Sequence, residues 1–591
     1  MPVKSPVPDV VIPDVDITTF FFSKAQRSID ALAAAGISEP PIIIDAASGR
    51  PLRFSDVKRN SLAIARALDD LLLKDCCTHE GGDKVVENTG LDRVVLVLMR
   101  GNILYSSVHF GIMMAGCTHM LLYPYQTAQE LADKFKSAGF AKVVAAFVEE
   151  DAVGMLQEAT KIAGVELQEN AIIAVAGDDD GVTAGRITVD DVIRENIDKP
   201  FTPYPFTAET LATTPSLIVH SSGTSGRAKG IILTHRNIVA SCSMFNGSIT
   251  ETPVSKDQLP LRDNDTGIIS SQNRAIELLS PFHIYGHTVL AYSALIGGGC
   301  VVSVKEFSTF ACLEAVERYR ITHFNATPKI LHTLLWETTK VDDNTQTVVR
   351  LRDYPYTEFQ IGSVVFVGCG GSPIPPAMKL KYSEYFGGAA ITNIYGQTEA
   401  SSIIASHMWG GVVPAVPGSA GVLAPNSLAK VVDAEGNETD EFGELCISGP
   451  HIMKSYIGNV KSPIVDGFFS TGDYARLSAD GHVFLRGRLD DIVHTAQGAI
   501  VPNDIEEMLA DNSSIIDSAV VGVGAKGEAQ AIVFLALAQS DVPKSELLAD
   551  IVQFVKSKTG NSHIIGREIA EIPKNPSGKK VPHLMVEQLC L

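Results

Sequence analysis

With 591 residues the chain exceeds what one hydrophobic core supports, so at least two domains are expected. Hydrophobic residues make up 45% and charged residues 20%, the balance of a globular protein rather than a disordered or fibrous one. A formal net charge of −20 excludes a broad basic face for nucleic acid or anionic lipid, so a polyphosphate ligand would need local donors and a metal.

Residues 1–18 repeat a Pro-Asp-Val element, at Pro8-Asp9-Val10 and Pro13-Asp14-Val15, which predicts an extended arm laid on the surface. Pro and Asp interrupt this start, so it lacks the order of a secretory signal, and an intracellular, cytoplasmic protein is expected. The nine cysteines show no CxxC metal spacing and only one adjacent pair, Cys76 and Cys77, which agrees with a reducing compartment. Segment 74–88 is polar and Gly-containing and reads as a surface loop.

From about residue 60 to 480, apolar runs alternate with helical patterns. The runs fall at 95–100, 142–147, 171–177, 216–222, 298–304 and 364–371, an α/β signature with largely parallel, buried strands. The most apolar stretch, Thr288 to Val304, contains Gly297 to Gly299 and is short for a bilayer span, so a buried helix and strand is expected there and no integral membrane segment. After Gly481 the pattern reads strand, charged turn, strand and helix, placing a domain boundary near Arg488 to Asp491. The C-terminal Leu589-Cys590-Leu591 is not a Ser-Lys-Leu type peroxisomal address.

The strongest local signal is residues 217–235, where a buried strand enters a loop of small residues ending in Lys229. Such a loop can wrap a polyphosphate. Gly223 and Gly226 permit close backbone approach, while Ser221, Ser222, Thr224, Ser225 and Lys229 supply donors and charge. It is not a Walker A loop, because Gly230 follows the lysine and the glycine spacing differs.

This segment closely resembles the phosphate-binding signature of the adenylate-forming superfamily, which includes acyl-CoA synthetases, 4-coumarate:CoA ligases, beetle luciferases and peptide-synthetase adenylation domains. Asn393-Ile394-Tyr395-Gly396-Gln397-Thr398-Glu399 is similar to the family's NxYGxTE motif. The resemblance implies that Asn393 and Tyr395 frame adenine, that Thr398 meets phosphate and that Glu399 holds magnesium, an ion suited to few carboxylates plus phosphate oxygens. Gly370-Gly371-Ser372-Pro373 resembles the turn lying against adenine. Asp473, in Ser470-Thr471-Gly472-Asp473, would accept the ribose hydroxyls, and Arg488 would reach the same ribose. Pro281 to Gly286 resembles the aromatic-His segment at the mouth of the acyl pocket. His283, Tyr285, Val289, Gly368 and Ile394 then become pocket candidates, within the stretches 285–289, 325–328, 368–371 and 394–400. Pro573 to Lys579 resembles the catalytic-lysine motif, with Lys579 at its Gly-Lys position and Lys580 as the alternative.

The resemblance covers nearly the whole chain. It implies a large N-terminal domain (19–487) of α/β subdomains with a small β-barrel, a hinge at 488–491 pivoting on Asp490, and a mobile α+β C-terminal lid (492–591). The activity implied is ATP-dependent and Mg2+-dependent conversion of a carboxylic acid, aryl or medium-chain, to an acyl-adenylate with release of pyrophosphate. Thioester formation with coenzyme A and release of AMP would follow. Two departures bear on that second step: Gln497 and Ile500 stand where many aryl-CoA ligases carry Lys and Gln. No phosphopantetheine-attachment segment follows Lys579, so the acceptor is expected to be free coenzyme A or a carrier protein supplied in trans. A catalytically silent nucleotide-binding homologue is the remaining reading.

Overall fold

The structure is a computed structural model, and it describes residues 2–34, 38–76, 91–175, 185–221, 229–246, 273–288, 294–296, 299–341, 348–350, 359–372, 374, 376–408, 413–458, 460–509, 512, 514–538, 542–574 and 580–589. Two sheets carry most of the N-terminal part. The first has seven strands in the order Ser455–Tyr456, Gly230–Thr234, Pro215–His220, Thr118–Leu121, Val94–Leu98, Ala145–Glu149 and Ile172–Val175. The last five run parallel, and every residue of Val94–Leu98 is buried, as a strand covered on both faces by helices requires.

The second sheet has nine strands, in the order Val422–Leu423, Ala405–Ser406, Ala390–Tyr395, Phe366–Gly370, His323–Ala326, Arg274–Glu277, Cys300–Ser303, Pro41–Asp45 and Pro51–Arg53. The six strands from Ala390–Tyr395 to Pro41–Asp45 are mutually parallel. Their carboxyl ends, at Tyr395, Gly370, Ala326 and Glu277, lead directly into four of the stretches singled out in the sequence. Ligands of α/β sheets collect at such ends. Thr288 and the following stretch form the end of helix Ile284–Thr288, helix Ala294–Ile296 and strand Cys300–Ser303, and no described helix is long and apolar enough to cross a membrane.

A six-stranded antiparallel sheet forms the third unit. Strand Phe468–Leu477 lies at its centre, between Gly443–Ser448 on one side and Ile464–Val465 and Val483–Arg488 on the other. Its side chains alternate between buried and half-buried, the period of a strand with one face on a core. The N-terminal arm joins this sheet: Val3–Lys4 pairs with Leu428–Val432, and Ser5 Oγ donates to Leu423 O at 2.8 Å. Helix Ile17–Ala34 then begins, with Asp16 Oδ1 accepting from the Thr18 and Thr19 backbone N–H groups. Lys74 to Cys76 complete helix Phe54–Cys76, and the rest of the expected 74–88 loop lies outside the described residues.

Beyond Arg488 the chain builds a hairpin, Val493–Thr495 with Gly498–Ile500, and a three-stranded sheet of Ile515–Val523, Gln530–Leu537 and Ile564–Glu568. Helices Pro502–Leu509 and Lys544–Thr559 cover it, and Ile505, Leu509, Val533, Leu535 and Val555 form a core of their own.

Phe21, from the first helix, is fully buried and stacks on Phe110 with ring centroids 4.3 Å apart. Phe21→Ala is expected to cost about 3–5 kcal/mol through lost burial and the cavity left behind. A clearly lowered urea midpoint of the first unfolding transition checks this; an unchanged midpoint would show that the helix does not contribute to the N-terminal core.

Candidate active site

Strand Pro215–His220 passes into Ser221 and pairs with its antiparallel neighbour Gly230–Thr234, which follows Lys229. Ser221 N–H donates to Lys229 O at 3.0 Å, and Lys229 N–H donates to Ser221 Oγ at 3.2 Å. Ser222, Gly223, Thr224, Ser225 and Gly226 fall outside the described residues, as do Val289, Pro373 and Lys579. Lys229 Nζ stands over the Tyr456 ring, 5.1 Å from its centroid, and the Tyr456 hydroxyl donates to Glu399 Oε1 at 3.0 Å. Burial, with the Glu399 charge beside it, raises the Tyr456 phenol above its usual range, so it stays a donor. A cation, an aromatic hydroxyl and a carboxylate therefore form one chain beside Ser221.

Glu399 sits in the short helical turn Thr398–Ala400, which follows strand Ala390–Tyr395. Gly396 is required at the bend, because a Cβ there would lie 1.5 Å from Ser402 O. The turn closes through Ser401 and Ser402, both at positive φ (49° and 104°), and is anchored by Ser241 Oγ donating to Ser401 O at 2.6 Å. Thr398 is buried. Asn393 Oδ1 is buried and has no hydrogen-bond partner among the described residues, leaving an acceptor for a ligand.

Asp473 is the centre of the other side of the site. It lies opposite Arg488 in the pairing of Phe468–Leu477 with Val483–Arg488, and Arg488 Nη1 donates to its Oδ1 at 2.9 Å. Gln397 Nε2 donates to Oδ2 at 2.6 Å and to Thr471 O at 3.0 Å, while the Tyr395 hydroxyl also donates to Oδ2. Burial and the Asp473 charge hold the Tyr395 phenol well above its ordinary pKa, so it remains protonated and donating. Three candidates read from separate stretches, Tyr395, Asp473 and Arg488, thus meet in one cluster. Gln397 joins them, and only its place inside the 393–399 motif could have signalled it.

The acid side is formed by the segment after strand Arg274–Glu277. Tyr285 lies 3.2 Å from where a Gly370 Cβ would stand, and its hydroxyl donates to Gly368 O at 3.1 Å. A Cβ at Gly368 would meet Asn325 Oδ1 at 2.6 Å and Ile394 Cδ1 at 3.2 Å, so Gly368, Ile394, Tyr285 and Asn325 pack closely against one another. Gly371, at φ +93°, turns the chain away, and Ser372 is exposed. His283 is half-buried at the head of this segment, with its backbone N–H on Ser280 O at 3.0 Å.

Lys574 and Lys580, on either side of residues 575–579, form an antiparallel bridge, and Lys574 Nζ bridges to Asp517 at 2.6 Å. Lys580 is ion-paired with Glu506 on helix Pro502–Leu509. Asp490 is exposed in the turn Leu489–Asp491 between the third sheet and the C-terminal unit. Among the described residues no group of three or more His, Cys, Asp and Glu side chains is arranged to hold a metal.

The AMP-binding enzyme family matches residues 87–457, and the chain belongs to it. Similar proteins include the 4-coumarate–CoA ligase of Pinus taeda, 25% identical across 98% of this chain and 95% of that protein. Another is peroxisomal OPC-8:0-CoA ligase 1 of Arabidopsis thaliana, 25% identical across 98% and 93%. Among solved structures, ATP-bound MatB from Rhodopseudomonas palustris has a TM-score of 0.72 at 19% identity, covering 96% of this chain and 99% of that one. The anthranilate CoA ligase AuaEII in complex with anthranoyl-AMP has a TM-score of 0.72 at 17% identity, covering 99% and 98%. These likenesses fix the fold: a large N-terminal part of α/β sheets and a small C-terminal domain.

Glu277, which ends the strand leading to the acid side, is buried, and burial pushes its pKa up to about 7 from 4.5. The unfolded chain loses this proton near 4.5 and the folded protein only near 7, so stability falls as pH rises through that window and is level above it. Glu277→Gln should flatten this dependence and stabilise the protein above pH 7 by about 3 kcal/mol. Urea unfolding at pH 5 and pH 8 checks it; an equal change at both values would refute the assignment.

Proposed function

We propose that this protein is an acid–thiol ligase that activates a carboxylic acid with ATP and transfers the acyl group to coenzyme A. The observation carrying the reading is the meeting of Tyr395, Gln397 and Arg488 on Asp473 beside the Lys229–Tyr456–Glu399 chain. One group supplies a carboxylate for the ribose hydroxyls, the other a cation and a carboxylate for a metal-bound triphosphate, and Asn393 Oδ1 offers an acceptor for an adenine amino group. The relatives named as CoA ligases support the same assignment.

In this reading the acid's carboxylate oxygen attacks the α-phosphorus, the bond to the pyrophosphate oxygen breaks, and acyl-AMP remains. A thiolate then attacks the acyl carbonyl and AMP leaves. Positioning and charge neutralisation provide the acceleration, with Lys579 as the cation between carboxylate and α-phosphate. A single carboxylate, Glu399, fits Mg2+, which keeps most of its ligands from phosphate oxygens and water and would screen the triphosphate charge there. Lys580 is a poor substitute for Lys579, because it is paired with Glu506.

Tyr285, Asn325, Gly368 and Ile394 are all uncharged, which favours an aryl or medium-chain acid over a dicarboxylate. We assign residues 19–487 to the nucleotide-binding domain, 488–491 with Asp490 to the hinge, and 492–591 to the lid. Among the described residues no disulfide joins Cys117, Cys242, Cys300, Cys312, Cys369 and Cys446, in keeping with an intracellular site of action.

Acid-dependent exchange of labelled pyrophosphate into ATP tests the first half-reaction. Lys579→Ala is expected to lower it by about 100-fold or more, the scale for a preorganised charge at the transition state. Coenzyme A should then accelerate AMP release. Release indifferent to coenzyme A but dependent on a carrier protein would redirect the second step, and ATP binding without exchange would leave a silent nucleotide binder. Separately, Asp473→Ala removes the carboxylate that Tyr395, Gln397 and Arg488 share, and calorimetric titration with AMP should show at least about tenfold weaker binding.

A further inference from the structure

Buried against the acid side is a polar cluster that the proposed chemistry does not use. Tyr105 opens helix Tyr105–Met114, which follows strand Val94–Leu98 of the seven-stranded sheet. Its hydroxyl lies 2.6 Å from His287 Nδ1 and donates to Pro281 O at 3.2 Å. Pro281 and His287 are the two ends of the segment that carries His283 and Tyr285, and this segment belongs to the nine-stranded sheet's half of the domain. One hydroxyl therefore clamps both ends of an acid-side segment to the opposite sheet.

With a single phenolic proton, the arrangement closes when His287 Nδ1–H donates to the Tyr105 oxygen and Tyr105 O–H donates to Pro281 O. Behind it, His109 Nδ1 and His119 Nδ1 are 2.7 Å apart, and the His109 ring stands edge-on to His287 at 4.5 Å. All four side chains are buried. Burial brings His287 to about 3 and holds His109 and His119 well below their usual range, so the imidazoles are neutral and the geometry is set by hydrogen bonds. The segment itself has little slack: a Cβ at Gly286 would come within 2.5 Å of Ser280 O. A shift at Pro281 or His287 must then move Tyr285, whose hydroxyl is fixed 3.1 Å from Gly368 O.

We infer that Tyr105 and His287 are positioning residues for the acid side, fixing where Tyr285 stands against Gly368 and hence acid affinity. The inference rests on the proposed function in taking the Tyr285 segment as a wall of the acid's seat. The Asp473 cluster is held by Tyr395, Gln397 and Arg488, so the nucleotide side should be insensitive to Tyr105 and His287.

The test is pyrophosphate exchange with benzoate, 4-hydroxycinnamate, octanoate and decanoate, using whichever the wild type turns over best. Tyr105→Phe keeps the ring but leaves a buried carbonyl and imidazole unpaired, and should raise the acid's KM about tenfold. The KM for ATP should not change. His287→Leu should match it, His287→Gln, which retains a group able to bond Tyr105, should restore most of the affinity, and Tyr105→Phe with His287→Leu should be no worse than either alone. Should Tyr105→Phe fail to fold, the two His287 variants decide by themselves. An unchanged acid KM, or acid and ATP constants rising together, would overturn the inference while leaving the ligase reading intact. A wild type inactive with every acid would remove the ligase reading first, and this inference with it.

Discussion

The Asp473 carboxylate is where two distant parts of the chain are held to a common geometry. A buried carboxylate is costly unless its oxygens are supplied with donors. Here the donors come from Arg488 on the neighbouring strand and from Tyr395 and Gln397 at the end of a strand in a different sheet. The antiparallel third sheet is thereby tied to the carboxyl end of the nine-stranded sheet. Because Arg488 is also the last residue of its strand, the same contact fixes where the chain leaves for the C-terminal unit. A ribose arriving at Asp473 would have to exchange for donors already in place, so its net gain is smaller than a count of new hydrogen bonds suggests.

The two parallel sheets impose a second constraint, since both must present their strand ends to one crevice. Arg100, just past strand Val94–Leu98, reaches Glu149 Oε2 at 2.9 Å within its own sheet and Glu306 Oε1 at 2.7 Å beyond the end of strand Cys300–Ser303 in the other. Glu149 is nearly inaccessible to solvent, so this ion pair is screened little by salt. Tyr105 makes the corresponding neutral contact from the next helix.

Much of this was legible in the sequence because strands covered on both faces read as continuous apolar runs. The runs at 95–100, 171–177, 216–222 and 298–304 contain or overlap Val94–Leu98, Ile172–Val175, Pro215–His220 and Cys300–Ser303. The run at 142–147 is offset from Ala145–Glu149, because Lys142 to Val144 first bridge to Glu166 and Val94. Short-range chemistry was equally visible: Gly396 and Glu399 lie within one motif, and their bend is a local matter. Tyr456 carried no such signal. It reaches Glu399 only because Ser455–Tyr456 pairs with Gly230–Thr234, more than 200 residues earlier, and pairing over that distance leaves no local pattern. Nor did Val3–Lys4, two residues that become a strand only against Leu428–Val432. The three histidines are likewise separate in sequence, each sitting in an apolar surrounding that reads as ordinary core.

Polar contacts between the sheets cost more to bury than leucines would, which raises the question of what they contribute. Apolar packing is non-directional and tolerates sliding of one layer on another. The close seating of Tyr285 against the Gly368–Gly370 backbone does not. Hydrogen bonds from Arg100 and Tyr105 have fixed lengths and directions, so they set the two halves at one spacing where packing alone would leave a range. Partly satisfied polar networks are worse than none, and this gives the cluster its sensitivity: removing one hydroxyl should loosen the acid's seat more than it loosens the fold.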